Sequence, residues 1–327
     1  LAGKKAVVST QVNLSLRAKL VGAWNSTALV AKATMTSAPS TLPYLGIPST
    51  AIPECPPLHT AQAWTIPPTC EVWGIPFHAL RMKEAVDAMD RWIERRVPGY
   101  AITANLNYAM LCDRDPQLTE LTRKAAFVLC DGMPIYWRSR WNRIAIPERV
   151  AGADLIYRLA ERCAERGYRM YFFGAAEGIA KKTAEKLVEM YPRLQVAGWQ
   201  SPALGEMSND ALQRSLDQIR KSQPDVLLAA LGQPKGEYWI ERHYEALNVP
   251  LSMQVGASFD FVAGVWRRAP LFFQKTGLEW LHRACSDPKR LIPRYFQNAV
   301  YLLKALRQDG IDILSENPVA PSSSITS

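Results

Sequence analysis

The chain has 327 residues, is 48% hydrophobic and 21% charged, and carries a formal net charge of +9. That length and apolar content suit one large or two modest folded domains, and exclude collagen-like, coiled-coil and wholly disordered classes. Six cysteines without a C-x-x-C pair and four dispersed histidines point to a reducing compartment with unpaired thiols, and away from a zinc site.

In chain order, the opening Leu1-Ala2-Gly3-Lys4-Lys5 lacks a Met. The apolar character of residues 5–31 is interrupted by Asn13, Arg17, Lys19 and Asn25, a poor match to a signal peptide. Residues 38–76 hold nine prolines and few charges, a density that forbids helix and sheet ladders. Residues 1–76 are therefore predicted to form a disordered, Pro-rich arm. No run reaches the roughly 18 apolar residues of a membrane span.

From about residue 78 the texture changes. Periodicity predicts a helix over 79–96, a buried strand at 100–103 and a helical stretch at 106–112. Further strands are predicted at 126–130, 169–173, 194–197, 226–230 and 251–255, with helices at 152–165, 178–191, 210–222 and 235–247. Such alternation implies an α/β fold, a Rossmann-like parallel sheet with helices on both faces, over residues 77–264.

Most of the charge lies beyond that core. Residues 265–307 contain nine basic residues against Glu279 and Asp287, so 9 − 2 = +7 of the +9 falls in one segment. They are predicted to form a basic helical appendage, followed by a flexible tail over 308–327. The cluster fits phosphates of a ligand, nucleic acid or an acidic membrane surface, or simply a solvated basic face. A helix from Pro293 would align Phe296, Ala299, Leu303 and Leu306 opposite Arg290, Arg294 and Lys304. That pattern suits a membrane-surface helix, or one packed on the core.

In parallel sheets, ligands bind where strands end and helices begin. Gly174-Ala-Ala-Glu-Gly178 follows a strand and opens a helix, so it reads as a phosphate cradle or a tight turn; it is neither G-x-G-x-x-G nor a P-loop. Asp131-Gly132 ends an apolar strand, where a carboxylate can act as a general base or cap a helix. Asp113-Arg-Asp115 matches a metal-binding D-x-D in form, but its place between a helix and Pro116 reads as a turn and cap. Arg149 precedes a helix and can meet a phosphate or a carboxylate. Lys235 and Glu237, after Gly232-Gln-Pro234, are candidate polar contacts.

The ordered set of motifs is more specific than any member. It comprises Asn105, Asp131-Gly132, Glu148-Arg149-Val150-x-Gly152, Pro234-Lys235-x-Glu237, Gly256-x-Ser-Phe-Asp260, Arg268-Ala-Pro270 and Gly277-Leu-Glu-Trp280-x-x-Arg283. Over residues 76–305 this series resembles the WecG/TagA/CpsF family of bacterial glycosyltransferases, glycosyltransferase family 26. The resemblance implies an inverting transfer, without metal or other cofactor, of a hexosyl or N-acetylhexosaminyl group. The donor is a UDP-sugar and the acceptor a polyprenyl-diphosphate-linked saccharide, in surface-polymer synthesis. It also implies a cytoplasmic enzyme peripherally attached to the inner face of the membrane, and a homo-oligomer is compatible with it.

By the same resemblance, Asp131 is the general base and Arg149 a catalytic cation. Thr103, Asn105, Gly132, Lys235, Glu237, Gly256 and Asp260 would serve the nucleotide sugar, and Arg283, Arg290 and Arg294 the diphosphates; Gly174 joins the nucleotide-sugar candidates from its place at the start of a helix alone. One position departs from the pattern: Gly236 stands where the family usually has Gln. Two rivals remain at this stage. One is a nucleic-acid-binding protein using the basic segment with Trp266, Phe272, Phe273 and Trp280. The other is a nucleotide-dependent oxidoreductase, for which the dinucleotide fingerprint is missing.

Overall fold

A computed structural model describes residues 67–202 and 208–316, all within one unit of the chain, Ala61–Ser327. Most of the predicted arm, and residues 317–327 of the predicted tail, lie outside the described residues.

Thr69–Val72 (β1) and Ile75–His78 (β2) form an antiparallel hairpin in which Val72 faces Ile75. The two turn residues, Trp73 and Gly74, both have positive φ (50° and 77°), the form of two-residue turn that matches strand twist. The fold thus takes in residues that the proline count assigns to the arm. Pro76 lies opposite Glu71 in this two-stranded ladder, where an edge tolerates its missing N–H.

The elements that follow are α1 (Met82–Glu94), β3 (Tyr100–Ala104), α2 (Leu106–Arg114), α3 (Pro116–Lys124), β4 (Phe127–Cys130), α4 (Met133–Ser139) and α5 (Gly152–Arg166). Then come β5 (Arg169–Gly174), α6 (Ile179–Met190), β6 (Gln195–Gln200), α7 (Asn209–Ser222), β7 (Val226–Ala230), α8 (Lys235–Leu247) and β8 (Leu251–Gln254). The last six strands form one sheet in the order β4-β3-β8-β7-β5-β6, and every neighbouring pair is parallel.

Both faces of the sheet are buried, which is why most of its strands read as largely apolar runs. Ala101, Phe127, Leu129, Met170, Phe172, Leu228 and Met253 pack with α1, α5 and α6 on one side. Ile102, Val128, Tyr171, Phe173 and Leu227 pack with α2, α3, α7, α8 and the hairpin on the other. Local chemistry sets the helix starts. Asn105 caps α2 by accepting from the Tyr108 N–H, and Asp115 caps α3 with Pro116 in the first turn.

Beyond the sheet lie α9 (Ser258–Val262), α10 (Leu271–Lys275), α11 (Glu279–Ser286) and α12 (Pro288–Glu316). One face of α12 joins the core through Tyr301 and Ala305. Asp309, 8% exposed, accepts from Arg138 at 2.7 Å through each of two nitrogens and from Trp73 Nε1 at 3.0 Å. The appendage helix therefore runs past residue 307, and residues 308–316 belong to it rather than to a tail. Ile292, Phe296, Val300 and Leu303 on α12 are exposed. Among the described residues no helix is long and apolar enough to cross a membrane.

Candidate active site

The chain leaves β3 towards β4 on one side, while β8 is reached from β7 on the other. Their carboxyl ends therefore flank a crevice at a switch point of the topology. Asp131 stands at its rim: its N–H donates to the Ala104 carbonyl at 2.9 Å, and Val150 N–H donates to the Cys130 carbonyl at 2.8 Å. These two bonds bring the end of β4, the Asn105 turn and Arg149 together. Close approach also needs glycine. A Cβ on Gly152 would lie 3.1 Å from Thr103 Oγ1, and one on Gly132 would lie 3.2 Å from the backbone of Asn105 and Leu106.

The electrostatics centre on Asp131, whose side chain is 26% exposed. Burial pushes its carboxyl up to about 6; Arg149 opposes that rise, Glu279 adds to it, and Arg283 and the Gly152 amide oppose it. Arg149 Nη1 lies 3.9 Å from Asp131 and 3.8 Å from Glu279, a charge contact to both rather than a hydrogen bond to either. Arg268 continues the chain, 3.6 Å from Glu279 and doubly bonded to Asp154. Glu279 and Arg283 both come from α11, so the basic appendage closes one side of the crevice. Sequence reading carried over Arg283 from this motif and missed Glu279 and Arg268. The signal was the acid one turn before the arginine.

The other predicted residues divide. Arg283 lies over the Phe261 ring at 5.5 Å, and Asp260, raised by burial, feels both Arg290 and Arg283. Arg294 donates to Asn107 at 2.9 Å, and Asn107 donates to Gln233 at 3.4 Å. Gln233 in turn bonds Glu237, which is 3% exposed and pushed by burial up to about 7. Arg290 pairs with Asp287 at 2.5 Å in solvent, and Lys235 is exposed. Gly256, with φ 53°, turns the chain from β8 into the Asp260 helix.

Gly174 stands at the same edge of the sheet, beside Ala230 and Leu231 at the end of β7. It ends β5, four strand spacings from β4, roughly 19 Å across the sheet. Its φ of 96° suits glycine, and Ala230 and Leu231 leave no room for a Cβ.

Asp113 and Asp115 act as the turn and cap that their context suggests. Asp113 pairs with Lys304 at 3.1 Å, while Asp115 caps α3 and accepts from the Tyr238 hydroxyl at 2.6 Å. Among the described residues no group of three or more His, Cys, Asp or Glu side chains is arranged to hold a metal ion.

A model of the Glycosyl transferase WecG/TagA/CpsF family matches residues 70–312, which covers most of the chain. The chain belongs to that family. This glycosyltransferase is 27% identical over 209 residues to an N-acetylglucosaminyldiphosphoundecaprenol N-acetyl-beta-D-mannosaminyltransferase of Bacillus spizizenii, an alignment covering 62% of this chain and 79% of the relative. A protein of the same name from Bacillus subtilis is 26% identical over 230 residues, 68% of this chain and 88% of the relative. One from Staphylococcus aureus is 22% identical over 223 residues, 68% and 86% respectively. The matched span starts in the hairpin and ends in α12, so hairpin and appendage are parts of the family fold.

Proposed function

We propose that this glycosyltransferase moves a hexosyl or N-acetylhexosaminyl group from a UDP-sugar to a polyprenyl-diphosphate-linked saccharide, with inversion and without a metal ion. The observation that carries the reading is one largely buried carboxylate, Asp131, at the sheet's switch point among Arg149, Arg268 and Arg283. The relatives' shared name supports a diphosphoundecaprenol-linked acceptor.

In this mechanism the acceptor hydroxyl attacks the anomeric carbon from the face opposite the nucleotide. Its proton passes to Asp131, the new glycosidic C–O bond forms, and the old bond breaks with its electron pair leaving on UDP. With a carboxyl held at about 6, roughly nine in ten copies are ionised one pH unit above it, ready to accept a proton. Arg149 and the arginines of α11 and α12 are the fixed cations available to the leaving diphosphate and the lipid diphosphate. The exposed stripe Ile292, Phe296, Val300 and Leu303 is the proposed contact with the inner face of the membrane.

Nucleic-acid binding is the weaker reading, because the family whose model matches residues 70–312, basic segment included, is one of glycosyl transferases. Asp131→Asn tests the mechanism: transfer is expected to be nearly abolished while UDP still binds, and turnover persists in EDTA for the unaltered protein. Near-normal turnover of Asp131→Asn removes Asp131 as the base, and loss in EDTA restored by Mn²⁺ removes the metal-free step.

A further inference from the structure

β8 ends in Gln254, between β3 and β7 at the crevice, and its side chain is 3% exposed. The Leu231 N–H donates to it at 3.2 Å, which fixes the amide oxygen as Oε1 and turns Nε2 away. Nε2 has no partner among the described residues, and neither has Oε2 of Glu237, also 3% exposed. Two enclosed polar atoms, a donor at the end of β8 and a carboxyl oxygen in the first turn of α8, thus stand without partners among the described residues.

Gly236 links them. A Cβ at position 236 would lie 2.4, 2.5 and 2.6 Å from Cδ, Oε1 and Nε2 of Gln254, so the amide occupies the space in which any side chain at 236 would begin. Glycine at 236 is what admits the Gln254 amide, and Glu237 is the next residue along α8.

We infer that Gln254 and Glu237 form a recognition subsite for an amide-type edge, a C=O beside an N–H, on the donor. Gln254 Nε2 donates to the carbonyl and the Glu237 carboxylate accepts from the N–H. A UDP-sugar carries such an edge on the uracil, whose ring holds C=O and N–H side by side; the acetamido group of an N-acetylated sugar is a trans amide with C=O and N–H pointing apart and offers none. The inference rests on the proposed nucleotide-sugar donor.

Calorimetric titration of the full chain with UDP, CDP, UDP-glucose and UDP-N-acetylglucosamine tests it, using Gln254→Met and Gly236→Ala. The second variant leaves Gln254 in place but pushes its flexible end aside. Both are expected to bind about tenfold more weakly, the size of one lost hydrogen bond, with the melting temperature of Gly236→Ala little changed. Weakening of UDP itself, with lost discrimination against CDP, assigns the edge to the base. Weakening confined to UDP-N-acetylglucosamine overturns the inference, because a trans acetamide has no such edge. Unaltered affinity for all four ligands in Gly236→Ala, or in a folded Gln254→Met, overturns the inference. If the unaltered protein binds none of them, the donor assignment itself fails.

Discussion

Replacing Arg149 by Met and Glu279 by Gln should move the acidic limb of the pH–rate profile in opposite directions. Arg149 Nη1 lies 3.9 Å from Asp131 and 3.8 Å from Glu279, so one cation serves two carboxylates. At an effective dielectric of about 20, unit charges ~4 Å apart interact by ~4 kcal/mol, a ceiling of about 3 pH units on the effect of losing the arginine. Sharing with Glu279 and the remaining contact with water bring the expected shift to about 1–2 units, within the range for a carboxylate beside a cation. Asp131 starts at about 6, so Arg149→Met carries the limb to roughly 7–8. Glu279→Gln removes a like charge and carries it below 6, by about a unit or less. The assay is kcat/KM for transfer against pH, which reports the base of the free enzyme. Arg149→Met is also expected to lower the plateau, so the position of the limb, not its height, is the readout. A limb that stays at 6 in both variants, or moves the same way in both, refutes the charge relay through Arg149.

Three other outcomes follow from the geometry. The Asp131 carboxyl is raised from 3.8 to about 6 in the fold, so the folded state holds its proton longer and loses stability as pH rises between those values. Thermal melts of Asp131→Asn should therefore gain on the unaltered protein from pH 4 to pH 7, by up to about 3 kcal/mol, and Glu237→Gln should gain similarly up to about pH 8. Asp309→Ala strands Arg138 and Trp73 beneath α12 and is expected to cost about 3 kcal/mol, read as a fall of about 6–12 °C in Tm. Phe296→Ser with Leu303→Ser, both 70% exposed, should leave Tm nearly unchanged and sharply reduce co-sedimentation with anionic vesicles.

The parallel core was legible because its strands are covered on both faces, so runs such as Phe127-Val-Leu-Cys130 stay apolar throughout. The position of Asp131 followed from that run. The hairpin was not legible: its prolines argue against strands in general, whereas a two-stranded ladder tolerates Pro76 at an edge, and its turn begins with Trp73 rather than Asn or Gly. The Asp131–Arg149–Glu279–Arg268–Asp154 chain was hidden because its members come from loops and helices up to 148 residues apart (279 − 131), and no local period marks such a contact. Gln254 left a signal that went unread, a large polar residue in the apolar run Leu251-Ser-Met-Gln-Val255. Gly236 was visible as a departure, but the amide that fills its place becomes visible only when β8 is set against α8.

The basic residues described in 265–307 do different jobs, and this bears on how the protein would meet a membrane. Arg268, Arg283 and Arg294 are half-buried at the crevice, while Arg267, Lys289, Arg290, Lys304 and Arg307 are exposed. Exposed pairs such as Lys304–Asp113 hold weakly and can exchange for phosphates of the leaflet surface, whereas the crevice arginines stand at the proposed diphosphate site. At about 1 kcal/mol for each basic residue near an anionic leaflet, the five exposed ones set a ceiling of roughly 5 kcal/mol. Arg267 lies outside α12, so not all five can face the lipid together. Ile292, Phe296, Val300 and Leu303 retain 53–70% of their surface, and finishing the burial of four such side chains contributes roughly 4–7 kcal/mol. The two contributions are of equal rank. Salt screens only the first, so vesicle co-sedimentation is expected to fall as ionic strength rises, with the apolar stripe keeping part of it.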